Sequence, residues 1–314
     1  MKRKELDNAK ESEKNDWKKF NTKANNKRMK GIKKVAVSGA APDGPSGGVK
    51  RDPKEELRRI DFPAGVHRFK FAEQGALLYA ALSDGSLAEI SLEDRSLKSK
   101  TQITTEGDDV GRMILDVSPS GDYVAVSHGD GQLSLLDGST KAIIRSWKGH
   151  QSRYTENCEV WSCAHVDSNT LASGGEDAQF CLWDMRTTDR ISRIKVSTDG
   201  SGCTFVGPSS DGGNASQVLT GSYDQFIRVY DQRNPSQAVN ERMLAGGVWN
   251  IEQHPECMVV SCMYGGWAML DRNLEPFYCE TKPGDALLYG ATMCDQGFAY
   301  ITFKDSTLTM KQIS

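Results

Sequence analysis

Six side chains in this 314-residue sequence stand out by type and spacing: Glu159, Trp161, Glu176, Tyr223, Trp249 and Tyr289. Aromatic rings mixed with acids suit a cationic ligand. A quaternary ammonium cannot donate hydrogen bonds, so ring faces hold it best, at about 0.5–2 kcal/mol each, with an acid nearby. A carboxylate such as Glu159 could also activate a water for hydrolysis. In "LAGGVWNIEQHP" (244–255), Gly246 and Gly247 place two backbone N–H groups beside Trp249, where they could hold an oxyanion. The same Gly-Gly step is expected to pack tightly and swing Trp249 over an open mouth. Aromatics in such places also act as protein-binding hot spots. From the residues alone, a hydrolytic site and an ordinary interaction surface both stay open.

Other candidates have weaker contexts. "GPSGG" (44–48) matches G-x-S-x-G by letters, but a nucleophile elbow needs a strand before it and a helix after it, and neither pattern is present. The eight cysteines include no C-x-x-C pair, and most sit in apolar strand-like runs. That argues against a zinc site and suits a reducing compartment. No cofactor and no metal is implied. His165 and His254 fall at strand-core and strand-end positions and read as packing residues.

The elements that must position these residues repeat along the chain. "LLYAALSDGSLAEISL", "YVAVSHGDGQLSLLD", "TLASGGEDAQFCLWD", "VLTGSYDQFIRVYD", "MVVSCMYGGWAMLD" and "FAYITFKDSTLTMK" share one plan: an alternating strand, a tight turn with Asp or Gly, and a second strand. These segments end at Leu92, Asp137, Asp184, Asp231, Asp271 and Lys311. A spacing of about 40–47 residues marks propeller blades of four antiparallel strands. The expectation is an all-β propeller with six clear repeats and six or seven blades. The chain's last strand pattern looks like a third blade strand, so "ELRRIDF" (56–62) is expected to lend the missing outer strand.

Charge divides the chain. Residues 1–34 hold 13 Lys and Arg against 5 Asp and Glu, so with −3 overall the rest carries −11. Residues 1–55, a basic tail followed by a Gly/Pro linker, are expected to be disordered, with the propeller over 56–314. No apolar run reaches the length of a membrane helix or a signal segment. The expected protein is a soluble cytoplasmic monomer, with the nucleus also open to it, and with no membrane or specific nucleic-acid partner.

Two resemblances sharpen this. "GH" at 149–150 followed by "LASGGEDAQFCLWD" (171–184) is similar to the WD-repeat signature, and "LTGSYDQFIRVYD" is a second good copy. That resemblance implies a structural role for His150, bonded to Asp177 in a chain with Ser173 and Trp183, with catalysis by His150 the lesser alternative. "ENCEVWSCAHVDSNTLASGGEDAQFCLWDMR", "TGSYDQFIRVYDQRNPSQ", "GGVWNIEQHP" and "LLYGATMC" resemble, in order and spacing, the WD-repeat diphthine methyl esterase family of the diphthamide pathway. The match covers roughly residues 145–314. It implies hydrolysis of the methyl ester of methylated diphthine on elongation factor 2, which would be the protein partner. A non-enzymatic scaffold is the alternative.

In register, the blade starts place Glu159 with Trp161, Gly247 with Trp249, and Leu287 with Tyr289 at one end of the central channel. The turn positions add Glu176 and Tyr223, and the first blade adds His67.

Overall fold

Alternation of apolar and polar residues over about six positions, closed by Asp- or Gly-containing turns, builds one antiparallel sheet after another. The computed structural model describes residues 60–72, 75–104, 112–152, 157–209, 216–281, 287–294, 297–302 and 308–311, with 294, 297, 302 and 308–311 described in backbone only. Blade 1 is β1 (Val66–Phe71), β2 (Leu77–Leu82), β3 (Ser86–Ser91) and β4 (Ser96–Gln102). Blade 2 is β5 (Ile114–Ser120), β6 (Tyr123–His128), β7 (Gln132–Asp137) and β8 (Ile143–Lys148). Blade 3 is β9 (Val160–His165), β10 (Thr170–Gly175), β11 (Gln179–Asp184) and β12 (Arg190–Lys195). Blade 4 is β13 (Cys203–Pro208), β14 (Gln217–Ser222), β15 (Phe226–Asp231) and β16 (Ala238–Met243). Blade 5 is β17 (Asn250–Gln253), β18 (Met258–Ser261), β19 (Trp267–Leu270) and β20 (Pro276–Glu280). Blade 6 is β21 (Leu288–Cys294), β22 (Gly297–Thr302) and β23 (Leu308–Lys311). Strands pair in sequence order within each sheet, so the described residues form six blades.

The core lies between blades. Tyr79 and Leu87 meet Ile114 and Val124 across blades 1 and 2. Leu133 and Leu135 meet Leu171 and Trp183 across blades 2 and 3. Phe180 packs with Val206 and Tyr230 between blades 3 and 4. Leu219 and Ile227 pack with Val260 and Leu270 between blades 4 and 5, and Trp267 packs with Leu288 and Phe298 between blades 5 and 6. Each fully buried Leu or Phe contributes about 1.5–3 kcal/mol, so these interfaces carry most of the apolar stabilisation.

The outer strand expected for the last blade falls only in part within the described residues. Ile60–Phe62, the described part of "ELRRIDF", lie outside every strand and add nothing to β23. Phe62 and Ala64 instead pack on Ala80, Leu82 and Ala88 of blade 1, which removes their apolar surface from water. Among the described residues no hydrophobic cluster joins blade 6 to blade 1, and Phe69 and Phe71 of β1 remain 56% and 58% exposed. The basic tail, the linker and its "GPSGG" all lie outside the described residues.

The strands that carry the site share one irregularity. Pairing shifts by one residue between Val66 and Arg68 in β1, Ile114 and Asp116 in β5, and Cys203 and Phe205 in β13. It shifts likewise where Val160 and Ser162 of β9 face Gly175 and Gly174, and between Leu288 and Gly290 in β21. A bulge re-aims the extra residue. Here those residues are His67, Leu115, Trp161, Thr204 and Tyr289. In blade 5 the same place falls to Trp249, just before β17, with its N–H donated to the Ser261 carbonyl (2.8 Å).

Candidate functional site

The bulges gather the expected residues at one end of the channel. Trp161 and Trp249 lie 6.0 Å apart between ring centroids, tilted at 59°, and Trp249 and Tyr289 lie 5.8 Å apart at 61°. Leu115, Tyr223 and Met263 complete the buried cluster, with Met113, Leu287 and Tyr289 packed against it. Glu176 accepts the Trp161 indole N–H at 3.0 Å, and its own backbone N–H is donated to the Glu159 carbonyl at 2.8 Å. Burial first, then Glu176, Tyr289 and Glu159, pushes the Tyr223 phenol well above its usual range. Both acids therefore act on the same buried hydroxyl, and both are half-buried themselves.

Two expectations change. Trp249 does not stand over an open mouth: it is 9% exposed, and Trp161 is 3% exposed. The physical reason is Arg68, the residue after the β1 bulge. Its guanidinium lies 5.3 Å from the Trp249 ring centroid and donates to the carbonyls of Trp249 (3.1 Å) and Thr204 (2.9 Å). It also donates to Asp116 Oδ2 and Ser162 Oγ, both at 3.3 Å. Asp116 in turn accepts the Ser162 hydroxyl at 2.8 Å and the Cys163 N–H at 3.2 Å. One arginine thus ties together inner-strand residues of blades 1 to 5, and a face of Trp249 already holds a cation.

The glycines also have a packing reason to be glycine. A Cβ on Gly246 would lie 2.2 Å from the Cys262 carbonyl oxygen, and one on Gly265 would lie 2.3 Å from the Gly246 nitrogen. Gly247 sits more loosely, its virtual Cβ 3.0 Å from Met263 Sδ. Two backbone segments cross at Gly246 and Gly265, and that contact alone requires glycine at Gly246.

His150 sits in the bonded chain that the WD resemblance implies. Its Nδ1 lies 2.8 Å from Asp177 Oδ1, its Nε2 lies 2.7 Å from Ser173 Oγ, and Trp183 donates its indole N–H to the same hydroxyl at 2.8 Å. The ring is 1% exposed. His165 Nδ1 is 3.0 Å from Ser118 Oγ. His254 Nε2 is 3.7 Å from Glu252. At the channel end, His67 Nε2 rests 3.2 Å from Met113 Sδ, and burial, helped by Arg68, lowers its pKa to about 4. It is a neutral imidazole at physiological pH. Burial holds the Cys158 and Cys181 thiols up at about 12, which removes them as nucleophiles. No group of three or more His, Cys, Asp and Glu among the described residues could hold a metal.

Arg68 and Asp116 were missed in the sequence. The signal was available: Asp116 is the lone charge in the inner strand "ILDVSPS", Arg68 sits in the middle of the inner strand "VHRFKF", and each is the residue after its bulge. A small pocket opens between His67, Arg68, Leu115, Trp161 and Trp249, with room for about one water-sized group.

Comparison with known proteins agrees with this architecture. The WD domain, G-beta repeat family matches residues 141–184. Diphthine methyltransferase of Schizosaccharomyces pombe is 31% identical over 140 residues, covering 44% of this chain and 40% of that protein. Diphthine methyltransferase of Homo sapiens is 28% identical over 160 residues, covering 47% of this chain and 33% of that one. The chain therefore spans two fifths or less of the length of these relatives. A chain in a crystal structure of the mitotic checkpoint complex superposes with a TM-score of 0.67 at 15% identity, covering 90% of this chain and 86% of that chain, a likeness of fold alone. Fold, matched repeat and relatives together make this chain a WD-repeat β-propeller protein similar to the diphthine methyltransferases.

Proposed function

We propose that the chain acts in diphthamide biosynthesis by hydrolysing the methyl ester of methylated diphthine on elongation factor 2. The observation that carries this reading is the convergence of Glu159 and Glu176 with Trp161, Tyr223, Trp249 and Tyr289 at one channel end, in a chain whose relatives are named diphthine methyltransferase. Glu159 takes a proton from water as the water adds to the ester carbonyl carbon, and the tetrahedral oxyanion then expels methanol to leave a carboxylate. The acids attract the trimethylammonium of the substrate. Trp161, Tyr223 and Tyr289 supply the aromatic surface at the channel end toward which it is drawn.

One observation favours a second reading, a non-enzymatic scaffold that recruits a partner protein. Arg68 already occupies a face of Trp249, and the aromatics it holds are packed as in a core. The experiment that separates the two mixes purified protein with elongation factor 2 bearing methylated diphthine and follows the substrate by mass spectrometry. Hydrolysis removes the mass of one CH2 and releases methanol. A stable complex with no change of mass supports the scaffold and rejects the enzyme.

A further inference from the structure

The oxyanion in the proposed hydrolysis needs a donor. Arg68 lines a small pocket with His67, Leu115, Trp161 and Trp249, and Gly246 crosses Gly265 at close range away from it. Arginine has five N–H donors in a fixed fork and stays protonated in proteins. In Arg68 the two terminal nitrogens make four bonds, to Asp116, Ser162, Thr204 and Trp249, and the Nε–H has no partner among the described residues. Its side chain is only 10% exposed, so that donor is spared without being surrendered to bulk water. The other lining residues are His67, Leu115, Trp161 and Trp249, and the space takes a group the size of one carboxyl oxygen, with the rest of the ester outside it.

We propose that this pocket is a carboxyl-group site, in which Arg68 Nε–H binds the carbonyl oxygen of a methyl ester and then the carboxylate that hydrolysis leaves. Arg68 is thereby a catalytic residue, and Asp116 a positioning residue that fixes its plane. The inference rests on the hydrolytic reading for its substrate, but the site itself is defined by carboxyl chemistry. As water adds to the carbonyl carbon, the π pair moves to oxygen and the new negative charge falls on an atom already bonded to a fixed cation. Such a donor contributes most when charge develops, because its dipoles need no reorganisation. The C–O bond to methoxide then breaks, methoxide leaves as methanol with the proton that Glu159 took from the water, and the carboxylic acid so formed loses its own proton to solvent to give the carboxylate.

The test uses the full chain labelled with 15N, in two arms. In the first, acetate is titrated while the Arg68 Nε–H resonance is followed, assigned by its loss in Arg68→Lys and by triple-resonance experiments. A saturable shift is expected. In the second, Arg68→Lys, which keeps the charge opposite Asp116, is assayed on methylated diphthine elongation factor 2. The expected result is a kcat lower by about a hundredfold or more with KM within about threefold, the pattern of a contact made mainly in the transition state. An Arg68 resonance that acetate leaves unmoved overturns the inference, as does a folded Arg68→Lys variant turning over at the wild-type rate. If the wild type itself leaves the ester intact, the hydrolytic reading fails and the acetate arm still decides the carboxyl site. If Arg68→Lys does not fold, the acetate titration of the wild type decides alone.

Discussion

Replacing Trp249 by alanine would separate a packed channel end from an open aromatic mouth. The ring is 9% exposed and contacts Trp161, Tyr289 and the Arg68 guanidinium. A tryptophan buries about 150–250 Å². At about 25 cal/mol per Å², removing all but its Cβ forfeits several kcal/mol, and the two aromatic contacts and the cation contact add to that. Collapse of neighbours into the space returns a part, so the expected loss is about 3–5 kcal/mol. Trp249→Phe keeps a ring beside Arg68 and should lose less than half as much. Urea unfolding followed by circular dichroism measures both. The reasoning is refuted if Trp249→Ala costs less than about 1 kcal/mol, because a ring held by these neighbours cannot be removed so cheaply.

Three further outcomes follow from the same geometry. His150→Ala removes bonds to Asp177 and Ser173 and should cost about 2–4 kcal/mol in chemical unfolding, while the folded fraction keeps its turnover per molecule; normal stability with lost turnover would move His150 into the chemistry. Gly246→Ala drives a methyl into the Cys262 carbonyl and should lower stability by about 3 kcal/mol or more in a thermal melt, whereas an unchanged melt with abolished hydrolysis would give that amide an oxyanion role. Burial holds His67 and His128 near pKa 4 against an ordinary 6.5, so between those values the unfolded chain binds more protons and stability falls as pH falls. The expected slope is about 1.4 kcal/mol per pH unit for each histidine. His128→Gln should flatten the stability profile, and a wild-type profile level down to pH ~4.5 contradicts the argument.

Much of the fold was legible because blades repeat a period-2 pattern with turn residues at fixed places. The repeats expected to end at Asp137, Asp184 and Asp231 end there as β7, β11 and β15, and those expected to end at Leu92 and Asp271 stop one residue earlier as β3 and β19. Register also located Trp161, Trp249 and Tyr289 at equivalent places, since one bulge recurs in the inner strands. What the pattern could not reveal is what fills the channel. Trp249 was expected to be open because a strand-start position says where a side chain points and nothing about what meets it there. Arg68 comes from blade 1, far away in sequence, and only the convergence of the inner strands brings it against blades 2 to 5. In the described part of "ELRRIDF", Ile60–Phe62, no strand forms, and Phe62 packs on an apolar face of blade 1, a contact no local pattern encodes.

The central claim is that Glu159, held half-buried beside Glu176 at the channel end, activates the water that cleaves the ester. The direct measurement is the rate at which Glu159→Gln, a replacement of equal shape without the charge, removes the methyl group from methylated diphthine on elongation factor 2, with the wild type alongside and both melting curves recorded. The account predicts an unchanged melt and turnover reduced by about 10²–10⁴-fold, the usual contribution of a positioned base. A Glu159→Gln variant that demethylates at the wild-type rate would contradict it.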